Sequence, residues 1–402
     1  MNKDIYSLHD LINKYGPPDA LVDNYSSESG YAIWGFEEFY SLSQKEIYNN
    51  IESGADPFDT VQKLINIWSE DNSDVKVLGF LSYDIKNILY SHIQFKALNT
   101  NFPYMWFGKP KKIRRYFIEE NNNKPDTKLL STISDIKNLS EYKNIIKKIK
   151  RELKAGNTYQ INLTMEKIFK IHANPIDIYL AIREYAQPQY GYYLNIGLHQ
   201  ILSFSPEEFF HTEGKQIYTY PMKGTIERDK DKDIDETLKK TLKNSTKDKA
   251  EHIMIVDLLR NDLGKICEYG SVNVKNLFSI NSYPTVHQMV SCIHGVLKEN
   301  IQYIDIFKAL CPGGSITGAP KESSMRIIDS LENYNRDIYT GAIGHINHNG
   351  DMYFNMAIRT MMIKQNIAKY CVGGGIVWDS CANKEWHEAQ LKGKILDQFI
   401  KG

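Results

Sequence analysis

Strand-like apolar runs follow one another in pairs along much of this chain, and that arrangement limits the folds it can adopt. Residues 160–169, 192–198, 200–204 and 216–220 are such runs, and 31–36 and 75–83 are further ones rich in aromatic side chains. Later come 271–274, 287–297, a hairpin around Asn349 and Gly350, a strand through Thr360 and one ending at Gly373, Gly374 and Gly375. Paired runs of this kind predict antiparallel sheets. Between them lie stretches of helical spacing. In 140–155 the apolar positions are Tyr142, Ile145, Ile146, Ile149 and Leu153, with Ser140 as a weak cap signal and Gly156 as the stop. A long amphipathic helix is predicted over 247–263, closed by Gly264, with others over 304–310, 321–331 and from about Asn383. The expected class is α+β, antiparallel sheets with helices on their outer faces.

The length of 402 residues fits one large domain or two intertwined halves. A polar stretch at 119–126, containing Pro125, reads as a linker or long loop. It separates residues 1–125 from 126–402, parts expected to pack as one intertwined unit. Lys plus Arg and Asp plus Glu both number 49, so no net charge draws the chain to nucleic acid or an anionic membrane. Cys267, Cys292, Cys311, Cys371 and Cys381 are dispersed without zinc-ligand or CxxC spacing, which fits reduced thiols. The N-terminus has no apolar signal core and no run reaches membrane-spanning length, so a cytoplasmic location is expected.

Several residue groups could carry chemistry. Lys223, in Tyr220-Pro221-Met222-Lys223-Gly224-Thr225, is by itself a solvated turn lysine; desolvated, it becomes a nucleophile. Glu385 and Glu388 share a helix face, as do Asp248 and Glu251. The two pairs could hold a divalent cation between helices, although on spacing alone two solvated faces are the simpler reading. The loop 313–321 precedes a helix whose amides could bind an anion; Pro320 suits its first turn, and the pattern is not a phosphate-binding P-loop. The glycines 373–375 would let a ligand approach a strand end, or simply form a tight turn. Arg359, in an otherwise apolar strand, calls for a carboxylate, whether from a ligand or from a structural salt bridge. Tyr339 could add a hydroxyl donor. Glu207 is either an exposed turn residue or, in apolar surroundings, a general acid.

In their order along the chain, segments 156–163, 203–209, 220–225, 251–264, 312–321, 339–344, 354–360 and 373–380, followed by Glu385 and Glu388, resemble the chorismate-utilising enzymes. The match covers residues 140 to the end, with weaker likeness at 79–84 and 103–108. The resemblance implies two large facing antiparallel sheets with helices outside, chorismate as substrate and Mg2+ as cofactor. Glu251 and Glu388 match the family's metal ligands, with Asp248 and Glu385 beside them, acting through water. Tyr339, Arg359 and the Gly375 amide match its grip on the enolpyruvyl carboxylate, and the loop amides near Gly318 flank the ring carboxylate.

Two positions separate the family's branches. Isochorismate and salicylate synthases carry a lysine base where this chain has Gln160, which argues against water activation. Anthranilate synthases usually have alanine where this chain has Lys223, and lysine there resembles the aminodeoxychorismate synthase branch. The resemblance then implies that Lys223 attacks C2 of chorismate while the C4 hydroxyl leaves, that Glu207 protonates that hydroxyl, and that ammonia expels the lysine. Thr225 would position substrate or amine. Gln288 stands where the family usually has histidine, and His287 faces away on strand alternation, so Gln288 hydrogen-bonds substrate or leaves proton transfer to Glu207. No cysteine lies in a glutamine-amidotransferase motif, which implies ammonia from a separate glutaminase subunit; release of 4-aminobenzoate would fall to another enzyme. Two alternatives are an anthranilate synthase component I and a non-catalytic chorismate-binding subunit. Segment 21–31 loosely resembles the part of the family that forms a tryptophan pocket.

Overall fold

The computed structural model describes residues 6–43, 56–70, 73–96, 101–118, 128–135, 138–283 and 286–401. The sequence-predicted linker at 119–126 lies outside them.

Strand pairing is almost wholly antiparallel, with Tyr6–Ser7 joining Met105–Phe117 in parallel as the main exception. Two long strands, Ser29–Leu42 and Met105–Phe117, run side by side through the centre. Ala20–Asn24 is paired on one side with Ser29–Leu42 and on the other with Tyr190–Asn195. Val75–Leu81 is likewise paired with both Met105–Phe117 and Ala342–Asn347. The first hundred residues are thus threaded among strands from the rest of the chain.

Alternation along these strands explains the layers. Ala20, Val22, Leu78, Phe80, Tyr192, Leu194, Ile201 and Ile343 point into one buried cluster built without helix residues. Their neighbours point the other way. Leu21, Tyr193 and Leu202 pack with Tyr142, Ile146 and Ile149 of the helix Leu139–Lys154. Val77, Leu81 and Ala342 pack with Ile255, Val256 and Leu259 of the helix Thr246–Ile266. A residue period of two therefore creates a sheet-on-sheet interior and two helix-covered outer faces, the layering expected of the sequence. Each large apolar side chain so buried contributes roughly 1.5–3 kcal/mol. The long central strands reach both outer layers, Ala32 and Tyr116 on one side and Leu42 and Phe107 on the other.

Four local readings need correction. The helix Thr246–Ile266 runs through Gly264 instead of stopping there. Burial of Leu263 and Ile266 outweighs the roughly 1 kcal/mol that an interior glycine costs. Asn138, not Ser140, caps Leu139–Lys154, its side chain accepting from the Glu141 amide at 3.0 Å. Pro320 is the N-cap of Lys321–Leu331, one residue ahead of the first turn. Arg359 is not inside a strand: it links Met352–Met356 to Thr360–Lys364 with φ of 49°.

Candidate active site

Lys223 lies on the strand Met222–Glu227, opposite Met289 of Val286–Val296. The register slips between Lys223 and Thr225, at Gly224, whose φ is 72°. A Cβ on Gly224 would lie 3.0 Å from the Asp248 Cβ and 3.1 Å from its Oδ1. Glycine therefore permits both the bulge and its close approach to the helix that carries Asp248 and Glu251.

Behind Lys223 lies the strand Ile367–Ile376, where Gly375 pairs in register with Asn162. A Cβ built on Gly375 would meet the Lys223 Nζ at 3.3 Å and the Gln160 amide nitrogen, also at 3.3 Å. Lys223 and Gln160 thus converge over the bare backbone of Gly375. Gln160 is fully buried, and neither its Oε1 nor its Nε2 has a hydrogen-bond partner. A buried amide with both ends unmet is costly unless something polar arrives.

Charges surround this point. Burial pushes the Glu207 carboxyl up to about 7, against the opposing pull of Lys223, Lys392 and a Ser315 hydrogen bond. Burial also lowers Lys223, although Glu251, Glu207 and Glu388 all act to raise it. Glu251 and Glu385 are raised by burial, and they repel one another across the gap between their helices. Burial raises Glu388 too, but Lys392, 2.9 Å away, outweighs it and holds the carboxylate below its usual range.

Glu251, Asp248, Glu385 and Glu388 therefore face a common region from Thr246–Ile266 and Ala382–Gly393. Among the described residues, however, no three His, Cys, Asp or Glu side chains close on one metal-sized point. A cation that takes one or two protein carboxylates and finishes its shell with water or ligand oxygens, as Mg2+ does, would not need such a cluster. The Glu251 Oε1 is buried without a hydrogen bond, its nearest cation being the Lys247 Nζ at 3.6 Å.

The remaining predicted residues lie on neighbouring strands and loops. Gly318 pairs with Ile161, and the Asn162 amide donates to the Thr317 carbonyl at 2.8 Å, bringing the 313–321 loop against the Gln160 strand. Arg359 is exposed; its carbonyl accepts from the Phe204 amide at 3.1 Å, while its guanidinium has, among the described residues, neither an ion-pair nor a hydrogen-bond partner. Its charge acts on Tyr370, and Tyr370 in turn acts on buried Tyr339. Thr225 is exposed and pairs with half-buried Gln288. His287 faces away, bonded to Asp235 at 2.9 Å and Ser282 at 2.8 Å, as strand alternation predicts.

Sequence reasoning missed Lys392 and Ser315. Lys392 bridges the Glu388 carboxylate and the Gly373 carbonyl, the latter at 2.8 Å, and faces Gly374. Its position four residues after Glu388 on a helix was the available signal. Ser315, inside a glycine loop, gave none. In segment 21–31, Asp23 is buried and accepts from Tyr116, Tyr179 and Arg183. The chain's own side chains thus occupy the centre of the segment likened to a tryptophan pocket.

Comparison with known proteins places the chain in a family. The family model described as chorismate binding enzyme matches residues 17–397. The chain belongs to that family. Anthranilate synthase component 1 of Saccharolobus solfataricus is 33% identical over 337 residues, 81% of this chain and 80% of that protein. Aminodeoxychorismate synthase component 1 of Bacillus subtilis is 38% identical over 260 residues, 65% of this chain and 55% of that protein. The chloroplastic aminodeoxychorismate synthase of Arabidopsis thaliana is 42% identical over 260 residues, 64% of this chain but only 28% of its own length. The chain thus spans about half or less of these two aminodeoxychorismate relatives. Among solved structures, anthranilate synthase component I from Streptococcus pneumoniae superposes with a TM-score of 0.77 at 24% identity, covering 92% of each chain. The menaquinone-specific isochorismate synthase from Escherichia coli gives 0.74 at 16% identity, covering all of this chain and 92% of the other. These two likenesses establish the chorismate-binding fold. Among the described residues, no helix of this family member is long and apolar enough to cross a membrane.

Proposed function

We propose that this chorismate-binding protein aminates chorismate to 4-amino-4-deoxychorismate, using ammonia supplied by a separate glutamine amidotransferase subunit. The observation that carries the reading is the pairing of Lys223 and Glu207, an amine and a carboxyl that burial drives toward their neutral forms in one site. Neutral Lys223 attacks C2 of chorismate; both ring double bonds shift by one position, to C1=C6 and C4=C5, and the C4 oxygen leaves as water with the Glu207 proton. Ammonia then attacks C4, both double bonds return to C1=C2 and C5=C6, and the Lys223 amine departs from C2. Two easy substitutions replace one hard one.

The other groups bind and orient. Arg359 and Tyr339, with the Gly375 amide, hold the enolpyruvyl carboxylate, and amides near Gly318 flank the ring carboxylate. Gln160 and Gln288 offer hydrogen bonds to the ring substituents, and exposed Thr225 positions the amine. Glu251 and Glu388 would hold Mg2+, with Glu385 and Asp248 acting through water. When bound, the ion neutralises the charge of the ring carboxylate. The folate branch of metabolism and a cytoplasmic location follow as part of the same proposal.

A second reading, anthranilate synthesis, is favoured by the Saccharolobus relative, which aligns over more of this chain than the aminodeoxychorismate relatives do. Product analysis with chorismate, Mg2+ and ammonia separates the two. The amination reading expects 4-amino-4-deoxychorismate without pyruvate; anthranilate with pyruvate would establish the other. No turnover would point to a binding subunit.

A further inference from the structure

Arg336 is 1% exposed, and its guanidinium makes five hydrogen bonds. Its Nε and Nη2 donate to the two oxygens of Glu332, each at 2.8 Å. Nη2 also donates to the Asn162 carbonyl at 2.6 Å, and Nη1 to the Ile316 carbonyl at 2.9 Å and the Thr340 hydroxyl at 3.3 Å. A guanidinium has five N–H donors, so none remains for a ligand.

The acceptors outside the Glu332 pair lie on three segments, and each segment supplies part of the site. Asn162 pairs with Gly375 and lies two residues beyond Gln160. Ile316 follows Ser315 and lies two residues before Gly318. Thr340 follows Tyr339. Thr340 is also a β-branched residue held at φ of 64°, a conformation that persists only when its surroundings fix it. Its hydroxyl is held between Arg336 and the Tyr339 carbonyl, while the Tyr339 amide donates to the Arg336 carbonyl at 3.0 Å. Glu332, itself buried, anchors the fork and also accepts from the Thr164 amide at 3.0 Å and its hydroxyl at 2.8 Å, on the Asn162 strand.

We propose that Arg336 is a positioning residue: its five-donor fork, clamped by Glu332, sets the spacing of the three segments that grip the carboxylates of chorismate. This rests on the reading that chorismate occupies the site described above. Lysine keeps the charge but has at most three donors and no planar fork, so it cannot hold all three segments.

The test measures loss of chorismate, whatever the product, for Arg336→Lys, Glu332→Gln and Arg359→Ala, alongside Tm. Arg336→Lys is expected to raise the chorismate KM by about tenfold or more with a much smaller change in kcat, the signature of lost uniform binding. Glu332→Gln is expected to do the same to a lesser degree, and it carries the test if Arg336→Lys does not fold. A folded variant with a lowered Tm and the wild-type KM would show that the fork only supports the fold, and would overturn the proposal. Arg359→Ala separates the two levels. If it raises KM while the Arg336 and Glu332 variants do not, the site reading stands and the positioning role fails. If it leaves KM unchanged, the site reading fails and the positioning role with it.

Discussion

The Nζ of Lys223 stands 3.3 Å from the point that a Cβ on Gly375 would occupy. The Gln160 amide crowds the same point, with Cδ at 3.2 Å. Gly375→Ala would therefore move the amine and the amide by a few tenths of an ångström without touching the hydrophobic core. Turnover should fall by about 10–100-fold, because small misplacements of a reacting group are expensive. The Tm should change little. A parallel loss of Tm and activity would mean that Gly375 matters to folding and not to the placement of Lys223.

Lys223→Ala should cost at least about 100-fold in turnover if the amine forms a bond to substrate. Intact-protein mass spectrometry of wild type incubated with chorismate, but without ammonia, should show the chain plus chorismate less water. The variant should show none. Full turnover by the variant would exclude the covalent step.

The Glu207 carboxyl, raised from 4.5 to about 7 mainly by burial, makes two pH predictions. As a general acid it must be protonated, so kcat should fall as pH rises through about 7. Burial lowers Lys223 from its usual value, and its protonation as pH falls should oppose activity. For stability, a carboxyl whose folded value lies above its unfolded one contributes fully below the unfolded value, and that contribution is lost as pH rises through about 7. Glu207→Gln should abolish the alkaline limb, cut kcat by about 100-fold or more, and raise Tm at pH above 7 relative to wild type. An unchanged alkaline limb in that variant would assign the proton to another group.

How much of this was legible beforehand depends on whether the signal was local. The paired strand-like runs around Leu78 and Tyr193 gave the antiparallel pairing, because each run is apolar and bounded by polar turns. The carboxylates at 248, 251, 385 and 388 were visible from helical spacing, but spacing alone left two solvated faces as the simpler reading, and it took the family resemblance to pair Glu251 with Glu388 across the two helices. Arg359 was misread because its apolar neighbours suggested a strand, whereas its backbone turns left-handed there. Gly264 misled because local propensity is weak against the packing of Leu263 and Ile266. Arg336 was invisible: nothing near it in sequence announces that its acceptors lie 174 and 20 residues away, on Asn162 and Ile316.

The acidic face between the two helices yields the last prediction. Glu251 is raised by burial, and its Oε1 has no hydrogen bond and only the half-exposed Lys247 ammonium at 3.6 Å, so metal-free protein keeps a poorly compensated carboxyl at some cost in stability. A cation bound only by the folded state stabilises it by mass action. Adding Mg2+ to EDTA-treated protein should therefore raise Tm, and activity should return over the same concentration range. Glu251→Gln removes a charged ligand, and the Mg2+ needed for half the Tm rise should increase by about tenfold or more. Because the amide needs no counter-charge, the metal-free variant should be at least as stable as metal-free wild type. If Mg2+ raises the Tm of the variant as readily as that of wild type, the ion does not use Glu251. If it raises neither, the pairs on the two helices hold no metal, and Lys392 is left as the cation that offsets Glu388.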